Sequence, residues 1–232
     1  MKFNSAITML AVLAPFTNAM DVHVRSSDDL IDVGDLNLFK EIWQAIYSNA
    51  GNREGVTISP APIPTRNKPC HFDDHTDHSV TLAIEGHWDD VGGNRHEYRD
   101  AMVEAAWEAL KKLSDQRSYN IRTGCCYESI STSCPIPGPG GCSFKDCQCH
   151  SATNARCLGL VQGHRVPSIM NVYTTKNGAT TANSLRISFR SDTAEEKGGC
   201  GMAETAAKGL ASFIFPGPVA NIVGVGIDLK CA

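Results

Sequence analysis

Residues 79–123 read SVTLAIEGHWDDVGGNRHEYRDAMVEAAWEALKKLSDQRSYNIRT, and two hydrophobic periods inside this stretch decide the expected fold class. Val80, Leu82 and Ile84 alternate with Thr81, Ala83 and Glu85, the period of a strand buried on one face. The period then lengthens. Val103, Ala106, Leu110 and Leu113 form one apolar stripe, with Glu104, Glu108 and Lys112 on the other side, as in an amphipathic helix. Asn94 and Glu97 stand three apart ahead of it, the spacing of a capping box. Tyr119, Ile121 and Thr123 return to a period of two, so the stretch predicts β-α-β.

The same logic extends downstream. Ile169–Thr175 and the alternating set Leu185, Ile187, Phe189 flank Asn177-Gly178, a two-residue hairpin signal. Met202, Ala206, Leu210 and Phe213 mark a second helix, and Val223, Val225, Ile227 and Leu229 a last strand. The expected fold is therefore α+β. An antiparallel sheet carries two helices on one face, the split βαβ or ferredoxin-like arrangement, with a disulfide-rich insertion over residues 125–165 and a helical segment ahead of it.

Residues 1–19 have the three parts of a signal peptide: Lys2, the apolar run Ala6–Ala14, and small residues at Thr17 and Ala19. Residues 20–69 contain no cysteine. Leu38, Phe39, Ile42, Trp43, Ile46 and Tyr47 predict a helix over 36–49. Prolines at 60, 62, 64 and 69 then predict an extended linker that cannot join a central strand. This segment reads either as a removed propeptide or as a helix docked on the main domain. The expected division is signal peptide 1–19, N-terminal helix and linker 20–69, and a disulfide-stapled domain 70–232.

The ten cysteines, Cys70, Cys125, Cys126, Cys134, Cys142, Cys147, Cys149, Cys157, Cys200 and Cys231, form an even set. In a chain with a secretory leader they read as disulfides in an extracellular protein. Cys200 before the second helix and Cys231 at the end of the last strand are placed to staple that helix to the sheet. Zinc is the rival reading at Cys142, Cys147, Cys149 and His150, but a C-x-C-H cluster lacks the usual two-to-four-residue spacing between paired ligands. The chain carries 21 Lys and Arg against 25 Asp and Glu; without Lys2 the balance is 20 − 25 = −5, which argues against nucleic acid as a partner. No Asn-x-Ser/Thr acceptor occurs. Residues 209–227 lack formal charge, but Pro216 and Pro218 would break a spanning helix, so no transmembrane segment is expected. Oligomeric state is left open.

Candidate sites are sparse. His71, Asp73, His75 and His78 stand in the run HFDDHTDH, and imidazole with carboxylate suits zinc or manganese. The i,i+4 helical His pair that fixes geometry in zincins is missing, and a solvated acidic loop accounts for the same residues. His96-Glu97 approaches H-E-x-x-H, but Asp100 replaces the second His. No nucleophile elbow, phosphate loop or cofactor motif appears. Arg122, Arg186 and Arg190 fall on outward positions of predicted strands and form a candidate partner-binding strip.

The signal peptide, the many cysteines with C-C and C-x-C spacings, and the missing enzyme motif resemble secreted cysteine-rich effectors of plant-associated fungi. By layout, residues 79–232 resemble the killer-toxin-like branch, named for toxins of smut fungi, with Cys147-Gln148-Cys149 and Gly199-Cys200-Gly201 as the matching pieces. The resemblance implies an effector or toxin-like binding protein that acts on a host or competitor protein without catalysis. The alternatives are a secreted metal-dependent hydrolase using the His/Asp loop and an inhibitor of extracellular proteases.

Overall fold

The computed structural model describes residues 20–68, 76–89, 95–123, 159–215, 223 and 226–232. The sequence expectations for the signal peptide, the Asn94 cap and eight of the ten cysteines (all but Cys200 and Cys231) lie outside these residues.

Ten strands and three α-helices make up the described chain, 47% of it in strands. In order they are β1 (Met20–Ser26), β2 (Asp29–Gly34), a π-helical turn (Phe39–Gln44) running into α1 (Ala45–Ala50), β3 (Gly55–Thr65), β4 (His78–His87), α2 (Arg95–Asp115), β5 (Tyr119–Thr123), β6 (Gly159–Pro167), β7 (Ile169–Lys176), β8 (Ala179–Ser191), β9 (Glu196–Lys197), α3 (Gly199–Leu210) and β10 (Asp228–Cys231). Six strands form one sheet in the order β10-β1-β7-β8-β4-β3; the other four form a second, β5-β6-β2-β9. Among the described strands only the β1–β10 pair is parallel, and a parallel bridge joins Met20 to Val223.

This corrects the ferredoxin-like expectation. That fold has one sheet and two helices; here there are two sheets, and residues 20–65 supply three strands besides their short helix, one of them in place of the expected linker. Gly159–Pro167, all but its last two residues expected inside the loop-rich insertion, is the strand β6 that pairs with both β5 and β2. Where a helix was expected over 36–49 there is a π-helical turn running into α1: Ile42 and Ile46 are buried, and Trp43 Nε1 donates to Glu104 of α2 at 2.9 Å.

The two sheets meet at a corner where the chain twice passes from one to the other. β1 turns into β2 through Ser27 and Asp28, and β6 turns into β7 through Ser168. There the Ser27 and Ser168 hydroxyls lie 2.9 Å apart, the Ser27 N–H donates to the Ile169 carbonyl (2.9 Å), and the Ser168 N–H donates to the Asp29 carbonyl (2.7 Å). A corner of this kind diverts strands out of a ladder, and these bonds satisfy the groups so released.

The inner face of the larger sheet carries Val22, Val24, Val80, Leu82, Ile84, Val172, Leu185, Ile187 and Phe189, all buried. α2 lies across it, against β1, β7 and β8, and also reaches β6 and α3. The prolines of β3 sit on the edge strand, paired only to β4. Period two puts the nitrogens of Pro60, Pro62 and Pro64 on one side, while Ala61, Ile63 and Thr65 between them keep N–H groups for β4. The missing donors also make this edge a poor template for a further strand.

The β7–β8 hairpin turns at Asn177 and Gly178, both with positive φ (53° and 78°), the type I′ geometry that Asn-Gly favours. α3 begins where the backbone crowds the β1–β2 turn: a side chain at Gly199 would collide with the Ser27 carbonyl. The Cys200–Cys231 disulfide joins the first turn of α3 to the end of β10, as its position predicted. No helix among the described residues is long and apolar enough to cross a membrane.

Candidate functional site

The outer face of the six-stranded sheet gathers residues from every strand. Cross-strand registry aligns Lys230, Arg25, Asn171, Arg186, Glu85 and Thr57 in one row. With strands about 4.8 Å apart, the row is roughly 24 Å long. Three of its six members are cationic: Lys230 and Arg25 at the β10 end, and Arg186 beyond Asn171, beside Glu85. Arg190 shares the face of Arg186, four residues along β8, a separation of about 13 Å.

Two of these cations are already engaged. Lys230 Nζ lies 3.0 Å from Asp228 Oδ2, and Arg25 Nε donates to the Tyr173 hydroxyl at 3.3 Å. Arg186 and Arg190 are exposed, and among the described residues neither side chain makes an ion pair or hydrogen bond. They border an open concavity of about 350 Å³ with Pro60, Thr81, Glu85 and Ser188. A second one, about 490 Å³, lies on the other side of Arg186 and is lined by His87, Tyr173 and Ser184 among others.

The residues singled out from sequence fall into three groups. Arg186 and Arg190 point outward, as their alternation with Leu185, Ile187 and Phe189 predicts. Arg122 belongs to β5 in the other sheet, opposite Leu160, and does not extend the strip. Arg25 and Lys230 take that place. Arg25 alternates with Val22 and Val24 in MDVHVRS, a period of two that the helical reading of the N-terminal segment passed over.

His71, Asp73 and His75 lie outside the described residues. His78 does not behave as a solvated loop residue: it opens β4 and its side chain is 1% exposed. Nδ1 stands 2.5 Å from Asp192 Oδ1 and Nε2 2.9 Å from the Asp32 carbonyl oxygen. Both nitrogens are thus committed: Nε2 bridges β4 to β2, and Nδ1 holds the residue that follows β8. The one group of His, Cys, Asp or Glu among the described residues close enough to share an ion is Asp28, Cys200 and Cys231. Its sulfurs are bonded to each other, and Asp28 Oδ1 accepts the Cys200 N–H at 3.0 Å as a helix cap.

A second polar cluster braces the smaller sheet. Asp32 Oδ1 accepts from the Tyr119 hydroxyl (2.6 Å) and the Gly34 N–H (2.9 Å), and the Arg165 guanidinium lies 5.4 Å from the centre of the Tyr119 ring. Burial, then the hydrogen bond to Asp32, pushes the Tyr119 phenol well above its ordinary range, so it remains a neutral donor. The Tyr119–Asp32 hydrogen bond links β5 to β2 across β6.

No protein-family model, characterised protein or solved structure matches this chain.

Proposed function

We propose that this chain is a secreted, effector- or toxin-like binding protein that grips an acidic surface of a host or competitor protein with the outer face of its six-stranded sheet. One observation carries the reading. Arg186 and Arg190 are exposed guanidinium groups without an ion pair or hydrogen bond among the described residues, and they stand at the rim of a concavity. An unpaired arginine presents a planar fork of donors that matches carboxylates, and a rim of like charges raises the encounter rate with an acidic partner. The Cys200–Cys231 bond is consistent with an oxidising compartment.

The test compares Arg186→Glu/Arg190→Glu with His71→Ala/His75→Ala in a host-response or growth-inhibition assay, with circular dichroism verifying that each protein is folded. The reading expects the arginine variant to lose its effect and the histidine variant to keep it. A metal-dependent hydrolase built on the His/Asp loop expects the opposite order, and that outcome overturns the binding reading.

A further inference from the structure

Three strands of the same sheet bring Asp228, His23 and Thr175, far apart in sequence, into one chain of hydrogen bonds. On β10 and β1, Asp228 stands opposite His23; on β1 and β7, Thr175 is opposite Asp21, two residues from His23 on the same face. His23 Nδ1 lies 2.8 Å from Asp228 Oδ2, and His23 Nε2 lies 2.9 Å from Thr175 Oγ1. The Tyr173 ring stacks on the imidazole, with centroids 5.0 Å apart and planes 16° from parallel, which fixes the imidazole plane. Thr175 and His23 are half-buried and open onto the outer face.

The protonation pattern follows from the partners. Burial works against ionised Asp228, but hydrogen bonds from His23 and Lys230 and the charge of Lys230 outweigh it and hold the carboxyl below its usual range. An ionised Asp228 accepts the proton on Nδ1, so in the neutral ring the free electron pair is on Nε2 and faces the threonine hydroxyl. Orienting acid, base and hydroxyl in that order are the parts of a hydroxyl-activating triad, recognised by geometry and role rather than by sequence position.

We propose that Asp228, His23 and Thr175 form a hydroxyl-activating relay that hydrolyses carboxylic esters, an activity beyond the binding reading and independent of it. Thr175 Oγ1 attacks the ester carbonyl carbon while its proton passes to His23 Nε2. The tetrahedral intermediate collapses, the bond to the alcohol oxygen breaks, and His23 returns the proton to that leaving oxygen. Water then attacks the acyl-threonine carbonyl, giving a proton to His23, and the acid departs as the Thr175 hydroxyl is restored.

The test incubates the intact protein with a fluorophosphonate, in which a nucleophilic hydroxyl displaces fluoride, and maps the adduct by peptide mass spectrometry. Hydrolysis of 4-nitrophenyl acetate is followed in parallel. The expected result is a single adduct on Thr175, retained in Thr175→Ser and absent in Thr175→Val and His23→Ala. Ester hydrolysis falls at least 100-fold in the latter two, the low end of what a positioned base contributes. Asp228→Asn lowers it as well by releasing the tautomer. No adduct on the folded protein, an adduct on another residue, or one that survives His23→Ala overturns the proposal. Should His23→Ala fail to fold, the contrast between Thr175→Ser and Thr175→Val decides the matter, and the binding assay on Arg186 and Arg190 is unaffected either way.

Discussion

His78 and Asp192 form a contact between a buried ring and an exposed carboxylate: the histidine side chain is 1% exposed, the aspartate 59%, and 2.5 Å separates Nδ1 from Oδ1. Nε2 stands 2.9 Å from the Asp32 carbonyl oxygen, so both ring nitrogens have an oxygen partner. The bridge ties β4 of the larger sheet to β2 of the smaller one.

His78→Ala is therefore expected to destabilise the protein by about 2–3 kcal/mol, the upper range for hydrogen bonds to a charged group. His71 and His75 must be tested apart from it, because a triple substitution would confound loss of stability with loss of a ligand. The measurement is the urea midpoint of each variant. A His78→Ala midpoint equal to wild type would show that the bridge contributes nothing.

Removing the disulfide with Cys200→Ser/Cys231→Ser is expected to cost roughly 3–4 kcal/mol, the chain-entropy value for the 31-residue separation of the two cysteines. The loss should appear as a lower thermal midpoint in the variant and in the wild type under reducing conditions. An unchanged midpoint would mean that the Asp28 cap and the packing of α3 on β10 hold the helix without the bond.

Leu110 on α2 and Leu185 on β8 are both fully buried where the helix covers the larger sheet. Either one changed to Ala should lower stability by about 2–5 kcal/mol, the range for leucine truncation in a packed core. A variant that keeps the wild-type midpoint would place that side chain outside the core.

Asp228 gives a pH dependence whose sign is set. Its folded pKa is lowered, so the stabilising contribution is present at neutral pH and is lost as pH falls through that value, below about 3.9. Asp228→Asn should flatten the acid limb of a stability profile measured by denaturant titration from pH 7 downward. An unchanged acid limb would detach Asp228 from the His23 and Lys230 contacts.

The elements that sequence periodicity located are those with one face buried and one in water. β4, β8 and α2 belong to this class, and Leu185, Ile187 and Phe189 against Arg186 and Arg190 is its plainest case. Of the strands it missed, β1 keeps the period of two, while β2, β3 and β6 break the rule for separate reasons. β2, DLIDVG, buries the adjacent pair Leu30 and Ile31 as well as Val33, so no alternation shows. β3 is masked by prolines that only an edge accepts. β6 has a glycine where the Tyr119 ring of β5 lies across the backbone: a side chain at Gly163 would collide with that ring. The basic row was half legible, because Arg186 and Arg190 share a strand. Their neighbours Arg25 and Lys230 come from opposite ends of the chain and meet only through the parallel β1–β10 pairing.

That pairing also decides how residues 20–69 are used. β1 lies inside the larger sheet, between β10 and β7, and buries Met20, Val22 and Val24; β3 covers the β4 edge. A chain beginning at Met20 keeps every one of these contacts. A chain beginning at Cys70 loses β1, β2 and β3, together with Ile42 and Ile46, and leaves the β4, β7 and β10 edges unpaired. Unpaired edges and an uncovered core favour association with other copies. The chain from Met20 should be a folded species with a cooperative thermal transition, whereas the chain from Cys70 should aggregate or lack that transition. Circular dichroism and gel filtration on both proteins make the comparison. A cooperatively folded, non-aggregated chain from Cys70 would establish residues 20–69 as a dispensable propeptide and contradict the placement of β1 within the sheet.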